Sequence, residues 1–172
     1  MKNKVLIGPS TFAALDSTPA DKLIDSGFEI VNNPFGRKIT VKELINLLPG
    51  INGIIAGLED LNREVMAGSD LKVISRCGSG MSNVDLEAAE SLGIKVFSTP
   101  DGPTTSVAEL TVGLLLSMIR LIYKMNMSLH QRKWNKQIGT QLNGKVVAIV
   151  GFGRIGRKVY RLLKAFEADV VA

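Results

Sequence analysis

The sequence has one cysteine, Cys77, and one histidine, His130, in 172 residues. A single thiol excludes a disulfide framework and fits a reducing compartment, so the expected location is the cytoplasm. No His/Cys cluster has metal-ligand spacing. Aromatic residues make up only 5% of the chain. The cations are spread along it without aromatic partners, which argues against a nucleic-acid partner. Long apolar runs are also missing. The most hydrophobic stretch, Val107 to Tyr123, is interrupted by Glu109 and Arg120 and falls short of the ~20 apolar residues of a membrane span. The apolar run near the start is stopped by Gly8-Pro9 and is too short for a signal peptide. No membrane partner is expected, and no internal repeat or low-complexity segment is evident.

What is present has the composition of a globular protein, with 45% hydrophobic and 22% charged residues and a net charge of +5. The mild basic excess reads either as an ordinary surface or as a preference for anionic ligands. Short apolar runs at Val5–Ile7, Phe28–Val31, Gly53–Ala56, Lys72–Ser75 and Ile94–Phe97 have the look of parallel strands buried on both faces. Helices between them carry start signals. Thr18-Pro19 offers an N-cap with proline at the first helical position. Thr40 to Glu43 is a capping box. Asn83 is placed to cap a helix over 86–92 that Gly93 terminates. Five successive βα units predict an α/β fold, a doubly wound parallel sheet of flavodoxin-like type.

Thr99-Pro100-Asp101-Gly102-Pro103 breaks the pattern and marks a boundary between residues 1–100 and 101–172. Ser106 to Glu109 reads as a second capping box opening one long helix to Leu129. Residues 130–143 are polar and read as a surface loop. A strand over 145–150 then runs into Gly151-Phe152-Gly153-Arg154-Ile155-Gly156 and an amphipathic helix with Ile155, Val159, Leu162, Leu163 and Phe166 on one face. This is the layout of a dinucleotide-binding turn. Gly151 permits the tight turn, Gly153 lets a pyrophosphate approach the backbone, and Gly156 allows close helix–strand packing. The acid that would hold the ribose is expected about 20 residues on, and Asp169 is too early, so NAD and NADP stay open. A cofactor domain needs more strands than follow, so the chain reads as the front part of a longer enzyme. The isolated chain is then expected to be inactive, with an exposed apolar face.

A second motif stands at the carboxyl end of the fourth strand. In Arg76-Cys77-Gly78-Ser79-Gly80, the glycines free consecutive backbone N–H groups to face an anion. Ser79 adds a hydroxyl, and Arg76 can pair with a carboxylate or phosphate. The alternative is a tight turn with a solvated arginine. Cys77 reads as a small packed thiol, His130 as a surface residue, and Glu109 as a cap.

Three segments in order carry a resemblance. They are 76–89, with its Arg-x-Gly-Ser-Gly and Asn83-Val84-Asp85; Ser98-Thr99-Pro100 followed by 106–115; and Leu142-x-Gly144-Lys145 leading into 150–156. Together they resemble the D-isomer-specific 2-hydroxyacid dehydrogenases, most closely the branch that oxidises 3-phosphoglycerate. The resemblance implies a flavodoxin-like substrate domain followed by the truncated start of a Rossmann NAD-binding domain. It implies substrate contacts at Gly78, Ser79 and Gly80, beside which Arg76 is the charge read from the motif itself. It implies cofactor contacts at Ser79, Gly151, Gly153, Arg154, Ile155 and Gly156. The substrate would be a small anionic 2-hydroxyacid or 2-ketoacid, the cofactor NAD, and the complete enzyme a homodimer. The long helix Ser106–Leu129 is too apolar for a free surface, which reads either as the dimer site or as burial within the domain. The family's catalytic arginine, glutamate and histidine fall after residue 172, so no catalytic residue is named here. Sibling reductases of glyoxylate, hydroxypyruvate or lactate, and a non-enzymatic NAD-sensing binding protein on the same scaffold, are the alternatives.

Overall fold

The structure, a computed structural model, describes residues 2–172. The chain forms two compact units that part between Pro100 and Asp101. The first contains β1 (Lys4–Ile7), α1 (Thr18–Asp25), β2 (Glu29–Asn32), α2 (Val41–Leu47), β3 (Gly53–Ala56), α3 (Arg63–Ala67), β4 (Val73–Arg76), α4 (Leu86–Ser91) and β5 (Lys95–Ser98). Every pairing is parallel and the order is β2-β1-β3-β4-β5. This is the flavodoxin-like order expected from the sequence.

Side chains alternate across the sheet. Leu6, Ile54 and Ile74 share one buried core with Leu44, Val65, Met66, Ala88 and Ala89 of α2, α3 and α4, and with Leu48 just after α2. The opposite face is less covered. There Val5, Ile55, Val73 and Phe97 line an apolar groove of about 550 Å³ together with Leu23 of α1.

The start of α2 bears out the capping box: the Thr40 hydroxyl accepts from the Glu43 amide, and the Glu43 carboxylate accepts from Thr40 N–H. Two other start signals need correction. At α1 the capping oxygen belongs to Asp16, whose Oδ1 accepts from the Thr18 amide at 3.0 Å and from its hydroxyl at 2.6 Å. At α4 the cap is Asp85, which accepts from Ala88 N–H at 2.9 Å, and not Asn83. Asn83 is used elsewhere. The end of α4 follows the expected pattern, with Gly93 in the left-handed region at φ 70°.

The second unit contains α5 (Thr104–Ile119), α6 (Ile122–His130), β6 (Val146–Ala148), α7 (Arg154–Lys164) and β7 (Asp169–Val171). The single long helix of the sequence reading is thus two helices, bent by 68°. The cause is tertiary. Thr140 N–H donates to the Ile119 carbonyl at 2.8 Å, taking the acceptor that a continuous helix would offer to residue 123. Gly139 makes that approach feasible, since a Cβ there would sit 2.8 Å from the Arg120 Cα. Leu121 absorbs the turn at φ 55°. The capping box at Ser106 is also corrected. Pro103 precedes the first helical residue, and the Ser106 hydroxyl donates back to the Pro103 carbonyl at 3.1 Å.

β6 and β7 pair in parallel around α7, which packs on α5. Ala108, Val112, Leu142, Val159, Leu163 and Ala168 form the core of this unit. Phe166, expected on the apolar face of α7, lies beyond its last turn and is exposed. Among the described residues no single helix is long and apolar enough to cross a membrane.

Candidate functional site

The turn after β6 has the geometry that a pyrophosphate requires. Gly151 adopts φ 93°, a region in which a side chain is strained. Gly156 lies so close to the Gly151 carbonyl that a Cβ would overlap it, and that Cβ would also meet Ile149 Cγ2 at 3.3 Å. The first turn of α7 is thereby pressed against the strand it follows. A Cβ on Gly153, by contrast, would meet nothing within 4 Å, so the space before the helix is open. From Gly151 to Gly156, no backbone amide donates to a protein acceptor among the described residues. Free amides at a helix start, with the positive end of its dipole behind them, suit an anion. These residues therefore fit a dinucleotide.

The side chains around this turn are tied to neighbouring groups. Arg154 Nε pairs with Asp101 Oδ1 at 2.8 Å, tying the start of α7 to the start of its own unit. Both are largely exposed, so the pair orients more than it stabilises. Arg157 Nε donates to the Phe152 carbonyl at 3.1 Å, and the Phe152 and Tyr160 rings meet edge to face at 5.7 Å. Ile155 is half-buried against the unit's core.

The loop after β4 differs from expectation at Gly78 and at Cys77. The Gly78 amide is not free. It donates to Thr99 Oγ1 at 2.8 Å and to the Arg76 carbonyl at 2.9 Å, while the Gly78 carbonyl accepts from Thr99 N–H at 3.1 Å. Gly78 is instead required by its conformation, φ 141°. The free donors begin one residue later. From Ser79 to Asn83, no amide has a protein acceptor among the described residues, and Ser79 and Gly80 are exposed. Arg76 is half-buried and folds back over Gly78. One of its terminal nitrogens donates to the Cys77 carbonyl, and its Nε is buried without a partner. Cys77 is exposed rather than packed.

The ends of this loop are held by the turn after β3. Cys77 N–H donates to the Ala56 carbonyl at 2.8 Å. Asn83 Nδ2 donates to the carbonyls of Gly57 at 3.2 Å and Glu59 at 2.7 Å. Sequence reasoning missed both Thr99 and Glu59. Glu59 sits in an acidic, loop-like stretch that reads as solvated. Its one sequence signal is a glycine at the end of β1 and another after β3, which leave room for a buried side chain. His130 ends α6, exposed, and Glu109 is exposed on α5 with no capping role.

The sequence pattern of the D-isomer specific 2-hydroxyacid dehydrogenase catalytic domain matches residues 12–167. The chain belongs to this family. It is 38% identical over 172 residues to D-3-phosphoglycerate dehydrogenase of Sus scrofa, covering 98% of the chain and 31% of that relative. It is 36% identical over 134 residues to hydroxypyruvate reductase of Thermotoga maritima, covering 76% of the chain and 44% of that relative. A solved protein of Thermus thermophilus superimposes with a TM-score of 0.86 at 31% identity, over 97% of this chain and 54% of that one. The chain thus spans less than half the length of the curated relatives named here.

Proposed function

We propose that the chain forms the front part of an NAD-dependent D-2-hydroxyacid dehydrogenase whose substrate resembles 3-phosphoglycerate. The observation that carries this reading is the turn 151–156, with its open approach over Gly153 and its unpartnered amides beside the helix start. The first unit is the substrate domain and the second the beginning of the Rossmann domain. The backbone at Arg154 and Ile155 holds the pyrophosphate. When bound, the nicotinamide supplies or accepts hydride. The protein's part is to hold and orient. The amides of Ser79 and Gly80 receive the substrate carboxylate, and Arg76 pairs with a second negative charge when the substrate has one. Of phosphoglycerate and hydroxypyruvate, for which the relatives are named, only the first carries a phosphate, and Arg76 favours the phosphorylated substrate.

The enzyme acts in the cytoplasm as a homodimer, with neither nucleic acid nor membrane as partner. The exposed stripe Leu110, Leu114 and Met118 along α5 supports the dimer.

The test is turnover by the enzyme that carries this sequence. NADH oxidation with 3-phosphohydroxypyruvate, at a kcat/KM above that with glyoxylate or pyruvate, is the expected result. Turnover with NADPH alone would overturn the cofactor assignment. No turnover with any 2-ketoacid, alongside measurable NAD binding, would favour the non-enzymatic alternative.

A further inference from the structure

Glu59 is the one buried charged residue among the described residues, at 2% exposure. It stands in the turn after β3. Its Oε2 accepts the Gly57 amide at 2.5 Å, and no described cation pairs with it. Its carboxyl carbon lies 2.7 Å from where a Cβ of Gly8 would be, and its Oε2 lies 3.3 Å from where a Cβ of Gly57 would be. A carboxyl group so nearly buried, with one amide donor and no cation beside it, is little compensated for its lost hydration.

Its position is informative. The sheet order reverses between β1 and β3, and ligands of open α/β sheets bind in the crevice outside the strand ends at that point. Gly8 follows β1 and Gly57 follows β3. The crevice between them is filled by the Glu59 side chain. The turn that Glu59 shapes is also the support of the free-amide loop. Ala56 holds Cys77, at the near end of that loop. The carbonyls of Gly57 and Glu59 hold Asn83, at its far end, and Leu61 N–H donates to the Asn83 carbonyl at 2.8 Å.

We propose that Glu59 is a positioning residue, closing the crevice between β1 and β3 and fixing the turn from which the Ser79–Gly80 loop hangs. Resting on the functional reading above, this assigns Glu59 to substrate affinity without contact with substrate. The Gly57 amide, the natural anion donor at the reversal point, is occupied by an internal carboxylate. An incoming carboxylate is thereby directed to the next strand end, at Ser79 and Gly80.

The experiment is steady-state kinetics of the complete enzyme with 3-phosphohydroxypyruvate and NADH, comparing wild type with Glu59→Ala, Glu59→Gln and Gly8→Ala. In Glu59→Ala the ketoacid KM is expected to rise about tenfold or more, with the NADH KM within about twofold of wild type. Added acetate, entering the emptied crevice, is expected to recover part of the loss. Glu59→Gln keeps an acceptor for Gly57 N–H and is expected to lie between wild type and Glu59→Ala. Gly8→Ala, which presses a methyl group against the carboxylate, is expected to give the same KM signature without removing Glu59, and it decides the matter if Glu59→Ala does not fold. An active wild type whose variants lose thermal stability but keep the ketoacid KM would overturn the proposal alone. A wild type inactive on every 2-ketoacid would overturn the functional reading, and this proposal with it.

Discussion

The guanidinium of Arg76 lies over the α-carbon of Gly78, where a Cβ would stand 3.1 Å from Arg76 Cζ and overlap one terminal nitrogen. Residue 78 is glycine for its φ of 141°, and a Cβ there would also push the Arg76 side chain aside. Gly78→Ala is expected to displace Arg76 and reshape the loop, raising the KM of a phosphorylated ketoacid about tenfold or more. Arg76→Ala is expected to raise that KM more than the KM of an unphosphorylated substrate. Equal effects of Arg76→Ala on both substrates would show that Arg76 does not read the second charge.

Gly156→Ala tests the cofactor turn. Its methyl group would collide with the Gly151 carbonyl, so α7 must lift away from β6. Overpacking of this kind costs about 1–3 kcal/mol. NAD affinity, followed by titration calorimetry, is expected to fall about tenfold or more, since each ~1.4 kcal/mol is a factor of ten. An unchanged dissociation constant would show that the pyrophosphate is held elsewhere.

The acid limb of stability is expected to depend on Glu43. A hydrogen bond from Arg37, with further ones from the Thr40 amide and hydroxyl, lowers its carboxyl from 4.5 to about 2. A depressed folded-state value stabilises above the unfolded value, and that stabilisation is lost as pH falls through the folded one. Urea midpoints of the wild type should therefore decline between pH 4.5 and 2 in a way that Glu43→Gln does not reproduce. Coincident slopes for the two proteins would remove the linkage. The pair is exposed, so the difference is expected to be modest.

Leu114→Glu places a charge in the middle of the apolar stripe on α5, where Leu114 is 62% exposed. Sedimentation velocity is expected to show the complete enzyme as a dimer and this variant as a monomer. A variant of unchanged mass would move the dimer surface away from α5.

The parts of the fold that sequence discloses are those set by local chemistry. The strands before α2 and α4 are short apolar runs, and the Thr40–Glu43 box satisfies its own amides within one turn. Gly151 and Gly156 are likewise legible, because a tight turn and a close helix leave their mark on the chain itself. What stays hidden is made by distant partners. The break at Leu121 depends on an amide 19 positions further on, Thr140 N–H, reaching the Ile119 carbonyl. The Gly78 amide is claimed by Thr99, 21 residues away, and Asn83 is drawn off its helix by carbonyls 24 and 26 residues back. Glu59 shows the same limit: the glycines after β1 and β3 leave room for a side chain, but only the folded turn places Glu59 against Gly8.

The strand order β2-β1-β3-β4-β5 has a consequence for how the first unit is assembled. Every strand after the first pairs with one already synthesised: β2 and β3 on either edge of β1, β4 on β3, and β5 on β4. No edge has to wait for a later piece of chain. The sheet can therefore grow in step with translation, and the loop at Ser79–Gly80 acquires its support from the turn after β3 before the cofactor turn has left the ribosome.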